Sequence, residues 1–538
     1  MYVVTGARVF TADPEQPWAE AVVIDGERIA FAGSLAEAHA MAGPDAVTIA
    51  AAGVVMPGFV DAHAHIMGTG AGLLKAQLRD APDLGTIQQR LIEWAEANPS
   101  APRVLGLGWL FSAVPDGVPT RQMLDEVIAD RPVYLDAMDF HSVWVNSAAL
   151  AEMEIGADTP DPIGGTIVRD ASGAPTGLLL ETACENLAWP LANRATTEEQ
   201  DAHLRATIDA YHASGVTTSV DMGLDESALR AMERCRDRGE LSLRVIAHWI
   251  IRRDDNPAVE LAQVARAAEL AASHAAGQIQ IVGIKVIVDG TIDACTAGMI
   301  EPYTNGEPGS LIWDAAALQR VVLAADAAGL QIALHAIGDL AVRTAIDAVE
   351  VATQTNAARD RRHRIEHLEY VDEADVGRLA PLGITASMQP VHIDPAVYAN
   401  WGAMLGESRA HHGFAWPQYL AHGTTLAFGT DTPTAPHQPL PNMYIAATRR
   451  SPGDPTLLPH RPDFALPIED AIVHGTRDAA WASFGEHEFG VLRAGLAADL
   501  ILLDRDPFTD GPGSLLEARV VRTIVGGRTV FIAPFPAG

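Results

Sequence analysis

The sequence predicts an α/β protein: a parallel (β/α)8 barrel of the TIM type, a β-sandwich formed by both termini, and a subdomain inserted after barrel strand one. Three observations predict it. From Thr196 onward, amphipathic helices alternate with short apolar strands, the pattern of repeated βα units. Both ends of the chain read as short strands and turns. Between them, from about residue 70 to 194, runs a stretch rich in Pro and Gly that is too long for a plain connection.

At the N-terminus, Val3-Val4, Ala7 to Phe10, Ala21 to Ile24 and Ile29 to Ala32 are strand-like, with turn signals at Asp25-Gly26 and Ala32-Gly33. At the other end, Asp499 to Leu503 and Val520 to Val525 are apolar, and Gly526-Gly527-Arg528 turns into Thr529-Val530-Phe531. The expectation is one sandwich from residues 1–56 and 485–538, beside a barrel over 57–484. Within the insert, a helix is expected over Thr120 to Ala129, feeding a strand over Val133 to Ala137. Because the insert leaves the chain directly after His65, it is expected over the C-terminal mouth of the barrel.

The barrel units follow in order. Thr196 and Glu199 form a capping box, and Gly215 closes that helix before the strand Val216 to Val220. Leu243 to Ala247 is the next strand, an Ala-rich helix spans 257–276, and Ile281 to Val288 is strand four. Asp314 caps a helix closed by Gly329, and Leu330 to Leu334 follows. Ile365 lies in strand six. Asp372 and Gly383 bound a helix before Ile384 to Met388, and Leu426 to Phe428 is strand eight.

Composition narrows the class. The chain has 538 residues, 48% of them hydrophobic, enough for a large core. A net charge of -32 opposes nucleic acid and anionic membrane as partners. No basic-then-apolar leader and no apolar run of spanning length is visible. Cys184, Cys235 and Cys295 are too widely spaced for a zinc or disulfide pattern. A cytoplasmic location is the expectation. Only two of the 37 basic residues are lysines, Lys75 and Lys285, so a lysine inside an apolar strand stands out.

The stretch Val54 to His65 ends in His63-Ala64-His65. In a strand, residues two apart share a face, so both imidazoles point together, as one metal ion requires. TIM barrels place their chemistry at the C-terminal strand ends. There the sequence puts His63 and His65 (strand one), Lys285 (four), His335 (five), His367 (six) and Asp431 (eight). Imidazoles and a carboxylate are zinc ligands. A buried lysine loses its proton readily, and the neutral amine can add carbon dioxide to give a two-oxygen bridge. Each residue also has an ordinary reading: His335 or His367 as a core histidine, Asp431 as the cap of the turn Thr430 to Pro433, and Lys285 as the partner of Asp289.

Together, Pro57 to His65, Lys285 with Asp289-Gly290, His335-Ala336-Ile337-Gly338-Asp339, Arg364-Ile365-Glu366-His367, Gly429-Thr430-Asp431 and Gly495 to Leu500 resemble the amidohydrolase superfamily. With Asp139 to Leu150 added, they resemble its amidohydrolase-3 branch, which contains N-substituted formamide deformylase. The resemblance covers essentially the whole chain. It implies two divalent metal ions, zinc, with carboxylated Lys285 as the bridge. His63, His65 and Asp431 would bind the first ion, and His335 and His367 the second. It also implies a metal-bridging hydroxide as nucleophile, and Asp431 as the group that passes its proton to the leaving amine.

The substrate so implied is a small-molecule amide, an N-substituted formamide or acyl amide. A cyclic-amide hydrolase or deaminase on the same scaffold is the alternative, and a silent binding protein a further one. Asp139, His141 and Gln389 are candidate substrate contacts, with His392 beside Gln389 at the mouth. Asp139 and His141 read equally as a surface pair within the insert. Trp109, Trp144 and Tyr303 could wall the pocket or pack in the core. A homodimer is the assembly weighed.

Overall fold

The structure, a computed structural model, describes residues 1–138, 140–162 and 165–534, without the Ala399 side chain. It divides into two compact units: Met1–Ile66 with Ile208–Gly538, and Met67–Thr207.

The first unit holds the barrel. Eight parallel strands run in order from Phe59–Ala64 through Val216–Leu224, Arg244–Ile251, Ile279–Ile287, Gln331–Ala336, Arg364–His367 and Thr385–Met388 to Leu426–Phe428. Helices capped as the sequence indicates lie between several of them. Asp314 accepts the Ala317 N–H at 2.9 Å, and Gly329 leaves that helix at φ +81°. An apolar cluster of Val60, Ala62, Val220, Met222, Ile246 and Ala333 packs within the barrel. Strands one and eight share no ladder of their own. They close through the backbone beyond them: Asp431 donates to the His63 carbonyl at 2.7 Å, and His65 to the Thr432 carbonyl at 2.9 Å. Glycine at 429 permits this approach, since a Cβ there would collide with the His63 backbone.

Strands from both termini share one sheet in this unit. Val54–Pro57 pairs with Leu500–Leu503, and Tyr2–Phe10 with Trp18–Asp25. The sheet bends on itself: Ile29 exchanges backbone hydrogen bonds with Leu496 and Gly495, and Val4, Val22, Ile24, Leu500, Leu502 and Ile524 fill the space between its layers. Gly526 and Gly527, at φ +53° and +71°, make the hairpin turn between Val520–Val525 and Arg528–Ile532. The segments are not strand alone; helix Leu35–Ala42 packs its Ala38 on Val3, Ala21 and Val23. Arg244 of barrel strand three pairs with Asp499 at 2.6 Å and ties sheet to barrel.

The second unit contains a six-stranded sheet, with Val104–Trp109, Val133–Ala137, Ser142–Val145 and Pro175–Glu181 at its centre. The helix expected over Thr120 to Ala129 is only Arg121–Asp125. At its end the Asp125 carboxylate accepts from Ser147, and beyond it the Ile128 carbonyl accepts from the Asn146 side chain. Trp109 and Trp144 pack edge to face at 5.4 Å in this unit's core, each indole N–H donating to a backbone carbonyl. Tyr303, in the first unit, is buried with its hydroxyl on the Ala297 carbonyl. All three pack as core residues.

Candidate metal centre and active site

Strand one delivers His63 into the barrel and His65 just past its end. Strand eight delivers Asp431 from a left-handed turn at φ +57°. The carboxylate of Asp61 fixes that turn, accepting the Thr430 N–H at 2.8 Å and the Thr430 hydroxyl at 2.6 Å. As a result His63 Nε2 and His65 Nε2 each lie 3.3 Å from Asp431 Oδ1. The ligand atoms of these three residues fall within 4.8 Å of one another. His367 adds its ring 4.9 Å from that of His63, and His335 lies 4.4 Å from His367. Lys285, on strand four, places Nζ 3.4 Å from His63 Nε2.

The hydrogen bonds behind the imidazoles set their direction. His63 Nδ1 lies 2.7 Å from Glu366 Oε2, and His367 Nδ1 lies 2.9 Å from Gln389 Oε1. His392 Nδ1 lies 3.1 Å from Glu369 Oε1. Each ring therefore turns Nε2 away from its partner, for His63 and His392 toward Asp431. The second group of ligand atoms within 4.8 Å is His367, His392 and Asp431, with His392 Nε2 3.5 Å from Asp431 Oδ2. His335 stands beside His367, but its Nε2 faces the Gly290 carbonyl at 3.3 Å and Asp289 at 3.5 Å. His392, which sequence reasoning left at the mouth, thus sits closer to the ligand atoms than His335 does.

Charge states suit cation binding. Burial pushes the His63 imidazole down, and the nearby Lys285 pushes it further. Burial, then the neighbouring His335, hold His367 well below its usual range. For Asp431 burial works upward, but the adjoining His63 and His65 outweigh it and hold the carboxyl low. Neutral imidazole and ionised carboxylate are the forms that ligate. Burial lowers Lys285 to about 8, so its amine is accessible near neutrality. Asp431 Oδ1 is buried and accepts no hydrogen bond. An orphaned carboxylate oxygen facing imidazole lone pairs is what a cation would satisfy, and the donor set fits a divalent metal.

One ordinary reading, the pairing of Lys285 with Asp289, fails here. Asp289 does not pair with Lys285; it accepts the backbone N–H groups of Gly298, Ile337 and Gly338 at 3.0, 3.0 and 2.9 Å. The strand ends at Ile287, so the two-residue alternation that would aim Asp289 beside Lys285 stops short of it. Gln389 is buried behind His367. His141 lies in the second unit with Nδ1 2.7 Å from Glu181. Asp139 lies outside the described residues.

Arg364 and Glu366 stand in the motif Arg364-Ile365-Glu366-His367, which by itself assigns them no role. Both are fully buried on one face of strand six, and Arg364 Nε donates to Glu366 Oε1 at 2.8 Å. Charges at alternate positions of an interior strand were the available signal. For Glu366 burial works upward, but Arg364 and His63 outweigh it and hold the carboxyl well below its usual range.

A parallel eight-stranded barrel that gathers imidazoles, a carboxylate and a lysine at its strand ends has the build of a metal-dependent hydrolase. The amidohydrolase family profile matches residues 48–531, and the chain belongs to that family; it is an enzyme acting on carbon–nitrogen bonds other than peptide bonds. It is 28% identical to N-substituted formamide deformylase of Arthrobacter pascens, over 98% of this chain and 97% of that one. It is 29% identical to Protein LONG AFTER FAR-RED 3 of Arabidopsis thaliana, over 98% and 91%. Among solved structures, an uncharacterized metal-dependent hydrolase of Pyrococcus horikoshii superposes with a TM-score of 0.78 at 26% identity, covering 95% of this chain and 99% of that one. No helix among the described residues is long and apolar enough to cross a membrane.

Proposed function

We propose that the chain hydrolyses the C–N bond of a small N-substituted formamide or acyl amide, using two divalent ions, zinc, in the barrel. The observation that carries this is the convergence of His63, His65, His367 and Asp431 beside the buried amine of Lys285. The similarity to a formamide deformylase over nearly the full length of both chains supports the substrate class.

His63, His65 and Asp431 would hold one ion, and His335 and His367 the other, with His392 close enough to compete. Lys285, carboxylated, would bridge them. When bound, the ions would supply a nucleophile from water near neutral pH and polarise the scissile carbonyl. Asp431 would take the proton from the attacking water. It would then pass that proton to the departing nitrogen as the C–N bond breaks, leaving a carboxylic acid and an amine. Gln389 holds His367 in place. Asp139 and His141 are proposed contacts for the substrate's remaining substituent.

The test is metal analysis of purified protein, with a panel of formamides, N-acyl amino acids and cyclic amides screened for released amine or ring opening. Two metals per chain and amine released from linear amides are expected. Turnover confined to cyclic amides would move the reading to the cyclic-amide class. Metal-loaded protein inert on every linear amide would overturn it.

A further inference from the structure

We infer that Glu366, braced by Arg364, is a positioning residue for His63: it dictates which imidazole nitrogen carries the proton and so keeps Nε2 open toward the metal centre. The inference rests on the metal-site reading above and extends it to residues that touch neither ion nor substrate.

A carboxylate only accepts hydrogen bonds. With Glu366 Oε2 at 2.7 Å, His63 Nδ1 must be the protonated nitrogen, and Nε2 keeps its lone pair. That Nε2 is the atom 3.3 Å from Asp431 and 3.4 Å from Lys285. Glu366 is itself immobilised. Arg364 donates to Oε1 through Nε at 2.8 Å and to Oε2 through Nη2 at 3.1 Å. The same Nη2 donates to the Ala62 carbonyl and the Ser387 hydroxyl, each at 2.7 Å. One guanidinium thus joins strands six, one and seven and holds the carboxylate against His63. An ion pair that only filled space could be replaced by apolar side chains at little loss. This one spends an oxygen on a ligand, as outer partners of metal-binding histidines do.

Glutamine at 366 exposes the requirement. Its amide nitrogen must face either Arg364 Nε, or Arg364 Nη2 together with His63 Nδ1. Either choice sets a donor against Arg364, and the second also sets one against His63 Nδ1, a clash that His63 relieves only by shifting its proton to Nε2, which closes the ligating position.

The experiment uses the full-length protein stripped of metal, with zinc affinity read by chelator competition and the His63 tautomer read by ¹⁵N NMR of histidine-labelled protein. Glu366→Gln should lose about 10–100-fold in zinc affinity, and the loss should vanish in a His63→Ala background, where nothing is left to position. Zinc affinity unchanged in Glu366→Gln, or lost equally with and without His63, would overturn the inference while leaving the metal site standing. The wild-type spectrum needs no variant to fold: a His63 ring unprotonated at Nδ1 would overturn the inference by itself. Wild-type protein that binds no zinc would overturn the metal reading and this inference with it.

Discussion

Lys75 and Lys285 are the chain's two lysines, one in each compact unit, Lys75 mostly buried and Lys285 fully so. In the inserted unit, Lys75 donates to Asp136 at 2.7 Å, and the second oxygen of that carboxylate accepts the Trp189 indole N–H at 2.9 Å. In the barrel, no carboxylate oxygen among the described residues lies within 4.0 Å of Lys285 Nζ, whose polar contact is His63 Nε2 at 3.4 Å. The same residue type therefore does opposite things. A buried ammonium with its counter-ion in hand is a structural joint. A buried lysine without one sheds its proton and becomes a reactive amine. Substituting each lysine in turn tests whether that difference is functional.

The largest effect is expected at Lys285. Arginine cannot lose its proton, so it cannot form a carbamate. Lys285→Arg and Lys285→Ala should each lose most of their metal and more than about 100-fold in kcat/KM, beyond what removal of an outer partner of a ligand costs. Both should remain folded by circular dichroism. A short carboxylic acid should restore part of the activity of Lys285→Ala by replacing the bridge. Normal metal content and turnover in Lys285→Arg would refute the bridging role.

Lys75 should show the reverse pattern. Lys75→Met leaves Asp136 buried without its cation and should destabilise the inserted unit by about 3–5 kcal/mol, with metal content unchanged. Hydrogen exchange would localise the loss to that unit. Lys75→Met with Asp136→Leu should recover part of it. A fall in metal content in Lys75→Met would erase the contrast between the two lysines.

The pH dependence of metal-free protein sharpens the same comparison. Lys285 titrates near 8 when folded and near 10.5 when unfolded. Between those values the unfolded chain binds more protons, so unfolding free energy rises with pH. The destabilisation from burying the amine is fully present below about 8 and is relieved as pH climbs toward 10.5, a swing on the order of 3 kcal/mol. Lys285→Met should flatten that rise in denaturant titrations across the window. Buried tyrosines, the partly buried Arg79 and the buried Arg449 also titrate between folded and unfolded states in this range, so the reading is the difference in slope between wild type and Lys285→Met. A slope unchanged in Lys285→Met would mean that the buried amine is not the group that titrates.

Much of this was legible before any coordinates. Barrel strands show as short apolar runs closed by Gly and followed or preceded by capping Asp or Thr, because helix ends and strand starts have their own chemistry. His63, His65, His367 and Asp431 were legible because strand ends in such a barrel share one mouth. What the sequence hides is direction. His392 sits in a single 3-10 turn, Pro390–Ile393, where no period predicts where a ring points. His335 occupies the expected strand end, yet its Nε2 turns to the Gly290 carbonyl. Asp289 fails as a partner for Lys285 because the strand ends two residues before it. Such details are fixed by tertiary contacts, and local pattern carries no trace of them.

The smallest effects should come from a pair of histidine–carboxylate contacts, one in each unit. His392 with Glu369 is mostly buried, with side-chain exposures of 18% and 8%, and faces Asp431; His141 with Glu181 is more open, at 24% and 23%. Solvent screens the second pair, so Glu181→Gln should change stability by no more than about 1 kcal/mol. It should also leave metal content unchanged. His141→Ala then isolates the substrate role proposed for that ring. Losing a contact made equally in the ground and transition states should raise KM several-fold with kcat held. His392→Ala should instead lower kcat or metal affinity, since its Nε2 lies among the ligand atoms. Steady-state kinetics on whichever amide the screen identifies would separate the two. If His141→Ala left KM unmoved, the ring would be a surface partner of Glu181 and nothing more, and recognition of the substrate would have to be sought elsewhere in the chain.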